Sequence, residues 1–149
     1  MLFRSPGKKW HSTDGLSKKL TSDVAIRVVY ANNGIDVALR MSADGNYIAS
    51  FAWDAPLIYR YRRGMNNTAL KSGIDLGAGY VAAAEHEMVF AAQGDKLTLW
   101  MDGKEVASVP NVPARAGGMQ ISFAGNSRVK KVEYGELETA GSSPPAAPK

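Results

Sequence analysis

Two groups of residues in this chain could do chemistry. The first is Asp36 and Arg40 together with Tyr59, Arg60, Tyr61 and Arg62. Guanidinium and carboxylate groups make directional hydrogen bonds, and tyrosine rings offer flat apolar contact, so this set suits recognition rather than bond breaking. The second is Glu85-His86-Glu87, two carboxylates flanking an imidazole. Hydrolysis of a glycosidic bond with retention needs two carboxyl groups about 5 to 5.5 Å apart, one as acid and one as nucleophile. Alternation along a strand puts Glu85 and Glu87 on one side, so a hydrolytic reading must recruit Asp36 as the partner.

Composition removes most other chemistries. The 149 residues include no Cys, which excludes disulfides, thiolate metal sites and cysteine nucleophiles. His11 and His86 stand far apart, with no spacing that suggests a zinc site. Neither a Gly-x-Ser-x-Gly elbow nor a phosphate-binding loop of the Gly-x-x-x-x-Gly-Lys-Ser type occurs. The net charge of +4 comes from 18 basic and 14 acidic residues. The basic residues cluster only briefly, at Lys8-Lys9, Lys18-Lys19, Arg60 to Arg63 and Lys130-Lys131. This scatter reads as a solvated surface and not as a nucleic-acid interface. No apolar run approaches the roughly 20 residues of a membrane helix, so no membrane insertion is expected.

The elements that must position these residues are strands. In Gly94 to Val109, two runs of β-formers flank Asp102-Gly103, the pair a two-residue type I′ hairpin turn prefers. That turn puts Met101 opposite Lys104, Trp100 opposite Glu105 and Leu99 opposite Val106. Leu97, Leu99 and Val106 then share one face, and Thr98, Trp100 and Ala107 the other. Alternation predicts further strands over Asp23 to Tyr30, Ile35 to Met41, Tyr47 to Trp53, Leu57 to Arg63, Glu87 to Ala92, Gly118 to Ala124 and Arg128 to Glu136. Gly64 to Gly79 reads as a long connection with one short strand near Ile74. A short edge strand is expected around Lys9 to His11, and no helix of three turns anywhere. In the strand from Leu57, the reading turns Leu57, Tyr59 and Tyr61 inward and Ile58, Arg60 and Arg62 outward, where the arginines join Arg40 and Asp36. The expected organisation is an irregular entry at 1–22, one domain at 23–138 and a Pro/Ala/Ser-rich linker at 139–149.

The order Asn33-Gly34-Ile35-Asp36-Val37-Ala38-Leu39-Arg40, Asp44-Gly45-Asn46-Tyr47, His86, Leu97 to Lys104, Gly117 to Ile121 and Val129 to Tyr134 resembles concanavalin A-like (laminin G-like) jelly rolls. Within them it is similar to bacterial domains of the 3-keto-disaccharide hydrolase type and to sandwiches appended to bacterial serine/threonine kinases. The resemblance spans about Asp23 to Leu137. It implies an all-β, two-sheet antiparallel sandwich whose concave sheet binds sugars through stacked rings and hydrogen-bonded hydroxyls. It further implies an extracytoplasmic setting, and a non-catalytic accessory module that binds carbohydrate or a protein surface through Asp36, Arg40, Tyr59, Arg60 and Arg62. The alternatives are a glycoside hydrolase using Glu85, Glu87 and Asp36, or a purely structural, oligomerising domain. No cofactor is expected, and calcium is the one metal the resemblance leaves open, through Asp36, Asp44, Asp54 and Asp102.

Overall fold

The structure is a computed structural model that describes residues 10–12, 22–51 and 56–137. Asp54, the tail at 139–149 and most of the entry at 1–22 lie outside the described residues. The described residues form eleven strands and no helix: β1 His11–Ser12, β2 Val24–Ala31, β3 Ile35–Ser42, β4 Gly45–Ser50, β5 Leu57–Arg62, β6 Thr68–Lys71, β7 Glu85–Gln93, β8 Lys96–Met101, β9 Lys104–Val109, β10 Gly118–Phe123 and β11 Arg128–Glu136. They assemble into a six-stranded sheet in the order β1-β11-β2-β7-β8-β9 and a five-stranded sheet in the order β10-β3-β4-β5-β6. Every pairing is antiparallel.

Alternation explains the core. Val24, Ile26, Val28 and Tyr30 of β2 and Met88, Phe90 and Ala92 of β7 point inward from the larger sheet, and Ile35, Val37 and Leu39 of β3 with Tyr47, Ala49 and Phe51 from the smaller. Period-two side chains give each strand one face that only the other sheet can cover, which makes a two-layer sandwich. A second apolar cluster, with Ala25, Val89, Ala91 and Leu137 under Trp10 and Trp100, covers part of the outer face of the six-stranded sheet.

The expected hairpin forms, with φ of 52° at Asp102 and 83° at Gly103. Its register departs from expectation beyond the first two pairs, because Leu99 faces Ala107 while Trp100 faces Glu105. Val106 is thus a β-bulge that still packs, partly buried, against the core, while Ala107, expected on the opposite face, is buried with Val109 in the core. The short strand expected near Ile74 lies earlier, at Thr68–Lys71, and Ile74 is instead a buried loop residue.

The larger correction concerns β5. Ile58 is completely buried and lies opposite Ala49, so the inward phase is 58, 60, 62. Arg60 and Arg62 therefore point to the inner side at the sandwich rim, whereas Tyr59 and Tyr61 face outward. A one-residue change of phase flips every side chain of a strand.

Arg40 is corrected as well. Arg40 and Met41 together stand opposite the single residue Asn46, and the pairing with β10 shifts at the same place. This bulge gives Arg40 a left-handed backbone, φ 54°, and turns its side chain fully out of solvent. Nε donates to the Ser22 carbonyl (2.9 Å), Nη1 to the Pro113 carbonyl (2.9 Å), and Nη2 to the Gly94 carbonyl (2.7 Å) and to Asp23 Oδ1 (3.3 Å). Asp23 Oδ1 also accepts the Gly94 amide at 3.1 Å. One guanidinium thus joins β3, the lead-in to β2, the β7–β8 turn and the β9–β10 connection. Burial lowers its pKa from the ordinary arginine value and Asp23 opposes that shift, but arginine remains charged in proteins.

Removing one member of such a buried pair strands the other charge, so Arg40→Met is expected to cost about 3–5 kcal/mol of folding stability. Adding Asp23→Asn should recover part of that loss. Urea denaturation followed by tryptophan fluorescence measures both, and an Arg40→Met protein as stable as wild type would contradict the clasp.

Candidate functional site

The outer face of the five-stranded sheet is built by the residues that alternate with the core. Tyr61 lies opposite Asn46, Tyr59 opposite Ile48 and Leu57 opposite Ser50. Across β4 and β3, Ile48 faces Ala38 and Ser50 faces Asp36. On the far strand, Gln120 meets Ala38 and Ser122 meets Asp36. Five strands at about 4.8 Å spacing make the face about 19 Å wide. Its centre is low, because Ala38 and Ser50 are small and Ile48 lies between them. Tyrosine rings border it on the β5 side, and Asp36, Ser122 and Gln120 on the other.

Among the described residues, two acceptors on this face have no partner. Asp36 Oδ1 and Asn46 Oδ1 are shielded from solvent yet make no hydrogen bond. An unpaired acceptor costs free energy that an incoming hydroxyl donor would recover. Burial first, and the Asp36 charge second, raise the Tyr59 pKa above the ordinary tyrosine value, so its hydroxyl stays protonated as a donor. Gly45 frames the end of the face. Its φ is 148°, and a Cβ there would sit 2.0 Å from the Tyr61 carbonyl oxygen, so only glycine lets β4 approach β5 beside Asn46.

The sequence-predicted residues are thus divided. Asp36 and Tyr59 share the outer face, Arg60 and Arg62 are on the inner side of the same sheet, and Arg40 is buried with its guanidinium committed to the fold. Asn46, Gln120 and Ser122 join Asp36 and Tyr59 without having been singled out in the sequence. Asn46 directly follows the turn-forming pair Asp44-Gly45, and no pattern within β10 says which strand Gln120 and Ser122 will lie beside.

Glu85 and Glu87 lie on the outer face of the six-stranded sheet, across the sandwich from Asp36. Glu87 Oε2 pairs with Arg27 Nε at 2.8 Å, and Glu85 Oε1 with Lys130 Nζ at 3.2 Å. Face-to-face sheets are about 10 Å apart, so residues on the two outer surfaces cannot flank one bond at the separation hydrolysis needs. The three carboxylates do not form the expected pair. The described calcium candidates are dispersed too. Asp44 is in the β3–β4 turn and Asp102 in the β8–β9 turn, and among the described residues no three His, Cys, Asp or Glu side chains gather to hold a metal. Nor is any helix of the described residues long and apolar enough to cross a membrane.

His86 has a different role. Its Nδ1 is 2.7 Å from Asp102 Oδ2 and its Nε2 is 2.6 Å from the Val81 carbonyl, so both ring nitrogens face acceptors. Tyr80 stacks on the ring at 4.2 Å between centroids and donates to Asn33 Oδ1 at 2.8 Å. Asp102 Oδ1 accepts the Glu87 amide at 2.8 Å, so the turn residue also anchors β7. Burial works against the charged imidazole, but the Val81 carbonyl and the Asp102 carboxylate outweigh it and raise the pKa above 6.5. This network straps the β6–β7 connection to the end of the sandwich opposite Arg40. A cleft of about 630 Å³ nearby is lined by Asn32, Asn33, Ala82, Ala83, Gly125, Asn126 and Arg128. It contains neither an aromatic ring nor a shielded unpaired acceptor, so the sheet face is the better candidate.

No protein-family model matches the chain, and no curated protein matches it in sequence. Solved structures do match. The carbohydrate binding module CBM66 from Bacillus subtilis superposes with a TM-score of 0.64 at 13% identity, over 85% of this chain and 90% of that one. A tetrameric galectin from the ball sponge Cinachyrella sp. gives 0.55 at 16% identity, over 84% and 96%. The Caenorhabditis elegans galectin LEC-6 gives 0.53 at 12%, over 91% and 93%. At these identities the likeness establishes the jelly-roll sandwich fold.

The His86 strap has a pH signature. Because the folded pKa is raised, its contribution to stability is complete below the unfolded value near 6.5 and is lost as pH rises through the folded value. The urea midpoint of the wild type should therefore fall as pH rises from about 6.5 through the raised folded value, and that of His86→Gln should fall much less. Parallel curves for the two proteins would contradict the doubly bonded imidazolium.

Proposed function

We propose that this chain is a non-catalytic carbohydrate-recognition module whose sugar platform is the outer face of the five-stranded sheet. The observation that carries the reading is the shielded, unpaired carboxylate oxygen of Asp36 on the same face as Tyr59 and the equally unpaired Asn46. Sugars offer what that face lacks: hydroxyl donors for the two acceptors, and apolar ring faces for Tyr59 and Tyr61. Tyr61, 41% exposed, stands clear enough for a ring to lie against it. The fold shared with a carbohydrate binding module and with galectins supports the same ligand class. In this reading the Pro/Ala/Ser-rich segment at 139–149 tethers the module to a bacterial partner domain, and the arginines first assigned to the ligand serve the fold and the rim.

A glycan array followed by calorimetry on the best ligand tests the platform. Asp36→Ala and Tyr59→Ala should each weaken binding about tenfold, since a hydrogen bond to a charged group is worth roughly 1.5–3 kcal/mol. Glu85→Ala, on the opposite face, should bind as wild type does. An array without any retained glycan, or full affinity in both platform variants, would overturn the reading.

A further inference from the structure

At the Arg40 end of the sandwich the inner side of the five-stranded sheet holds more positive charge than its carboxylates balance. Arg60 lies opposite Tyr47 with its guanidinium carbon 5.6 Å from the centre of that ring, and Arg62 is the next inward residue of β5, opposite Gly45. Arg40 borders Tyr47 from β3, where Leu39 is its cross-strand partner. Gly117 abuts the Arg40 backbone so closely that a Cβ would lie 2.4 Å from the Arg40 carbonyl carbon. That approach brings the segment carrying Arg115 alongside, and the Arg115 charge acts on Arg40. Asp23 pairs with Arg40. Among the described residues, Arg60, Arg62 and Arg115 have no ion-pair partner.

Hydrogen bonding among the described residues shows the same deficit. Arg62 Nη2 reaches Thr68 Oγ1 at 3.3 Å, but its Nε is shielded and unpaired. Arg115 Nε and the Tyr47 hydroxyl are shielded and unpaired too, and Tyr47 as a whole is only 1% exposed. Three shielded donors without an acceptor, beside three uncompensated guanidinium groups, are an unusual concentration of one polarity. Each such group left unmade costs free energy, and all three lack the same thing.

We infer that Tyr47, Arg60, Arg62 and Arg115 form an oxyanion-binding site at the rim of the sandwich. The ligand is a carboxylate, sulfate or phosphate group, held by the Tyr47 hydroxyl and by guanidinium forks whose geometry matches such oxygens. The site is on the opposite side of β5 from the sugar platform and does not depend on it. The same anion chemistry could belong to a free inorganic ion or to an acidic substituent on a saccharide.

Thermal unfolding and calorimetry of the full chain test the site, with sulfate or inorganic phosphate at low millimolar concentration against chloride at equal ionic strength. The wild type should show a saturable rise in melting temperature with the oxyanions and none with chloride. Tyr47→Phe keeps the ring beneath Arg60 and removes only the hydroxyl, so it should fold, at least as stably as wild type without anion, and bind about tenfold more weakly. Arg115→Gln should weaken binding by at least as much, and Arg63→Gln should not. A sulfated disaccharide supplies the second arm: binding tighter than free sulfate assigns the site to a saccharide substituent, and equal or weaker binding assigns it to the free ion. Absence of any saturable response in the wild type, or an unchanged response in both Tyr47→Phe and Arg115→Gln, would overturn the site. Neither result bears on Asp36 and Tyr59, whose variants should retain the anion response.

Discussion

The buried guanidinium of Arg40 is the interaction on which the rest of the structure depends. A charge taken wholly out of water is tolerated only where hydrogen bonds replace its hydration. Here three carbonyl oxygens and one carboxylate oxygen do so, and they come from three separate stretches of the chain. The bulge that aims Arg40 inward also puts a non-glycine residue at φ 54°, a strain on the order of 1–2 kcal/mol. That strain is sustained because the side chain fixes how the two sheets meet at this end.

The opposite end is closed in a different way. His86 and Asp102 bind the β6–β7 connection through a pair that changes with protonation, whereas Arg40 keeps its charge at any accessible pH. The two ends of one sandwich thus respond differently to solution conditions. Once the imidazolium loses its proton, local opening should begin at the connection held by Val81 and Tyr80, and not at the β9–β10 connection held by Arg40.

Between the ends, alternation divides polar side chains among distinct surfaces. Glu85 and Glu87 serve ion pairs on one outer face, Asp36 stands unpaired on the other, and Arg60 and Arg62 are turned to the inner rim. Glu85 and Glu87 are thereby separated by the thickness of the sandwich from Asp36, the partner that hydrolysis would need. A jelly roll alone says little about activity, because the same framework hosts many functions. The proposed sugar recognition therefore rests on two shielded acceptors and the tyrosines beside them.

Strand content and the positions of most strands follow from the sequence. Period-two runs such as Val24-Ala25-Ile26-Arg27-Val28 admit no other half-buried element, and Asp102-Gly103 specifies its turn because both residues accept positive φ. The phase of β5 was not legible. Leu57-Tyr59-Tyr61 and Ile58-Arg60-Arg62 are both amphipathic sets, and only the pairing of Ile58 with Ala49 above the shared core decides between them. The inward turn of Arg40 was equally hidden, since a bulge is an extra residue in one strand relative to its neighbours and exists only once the partners are aligned. His86 and Asp102 are 16 residues apart, and their contact arises from hairpin pairing joined to a turn. The sequence by itself determined a β-protein and its strands, because local geometry is written in neighbouring residues. Which face each strand shows, and so which polar groups meet, was decided by the tertiary structure, because a face is defined only by what packs against it.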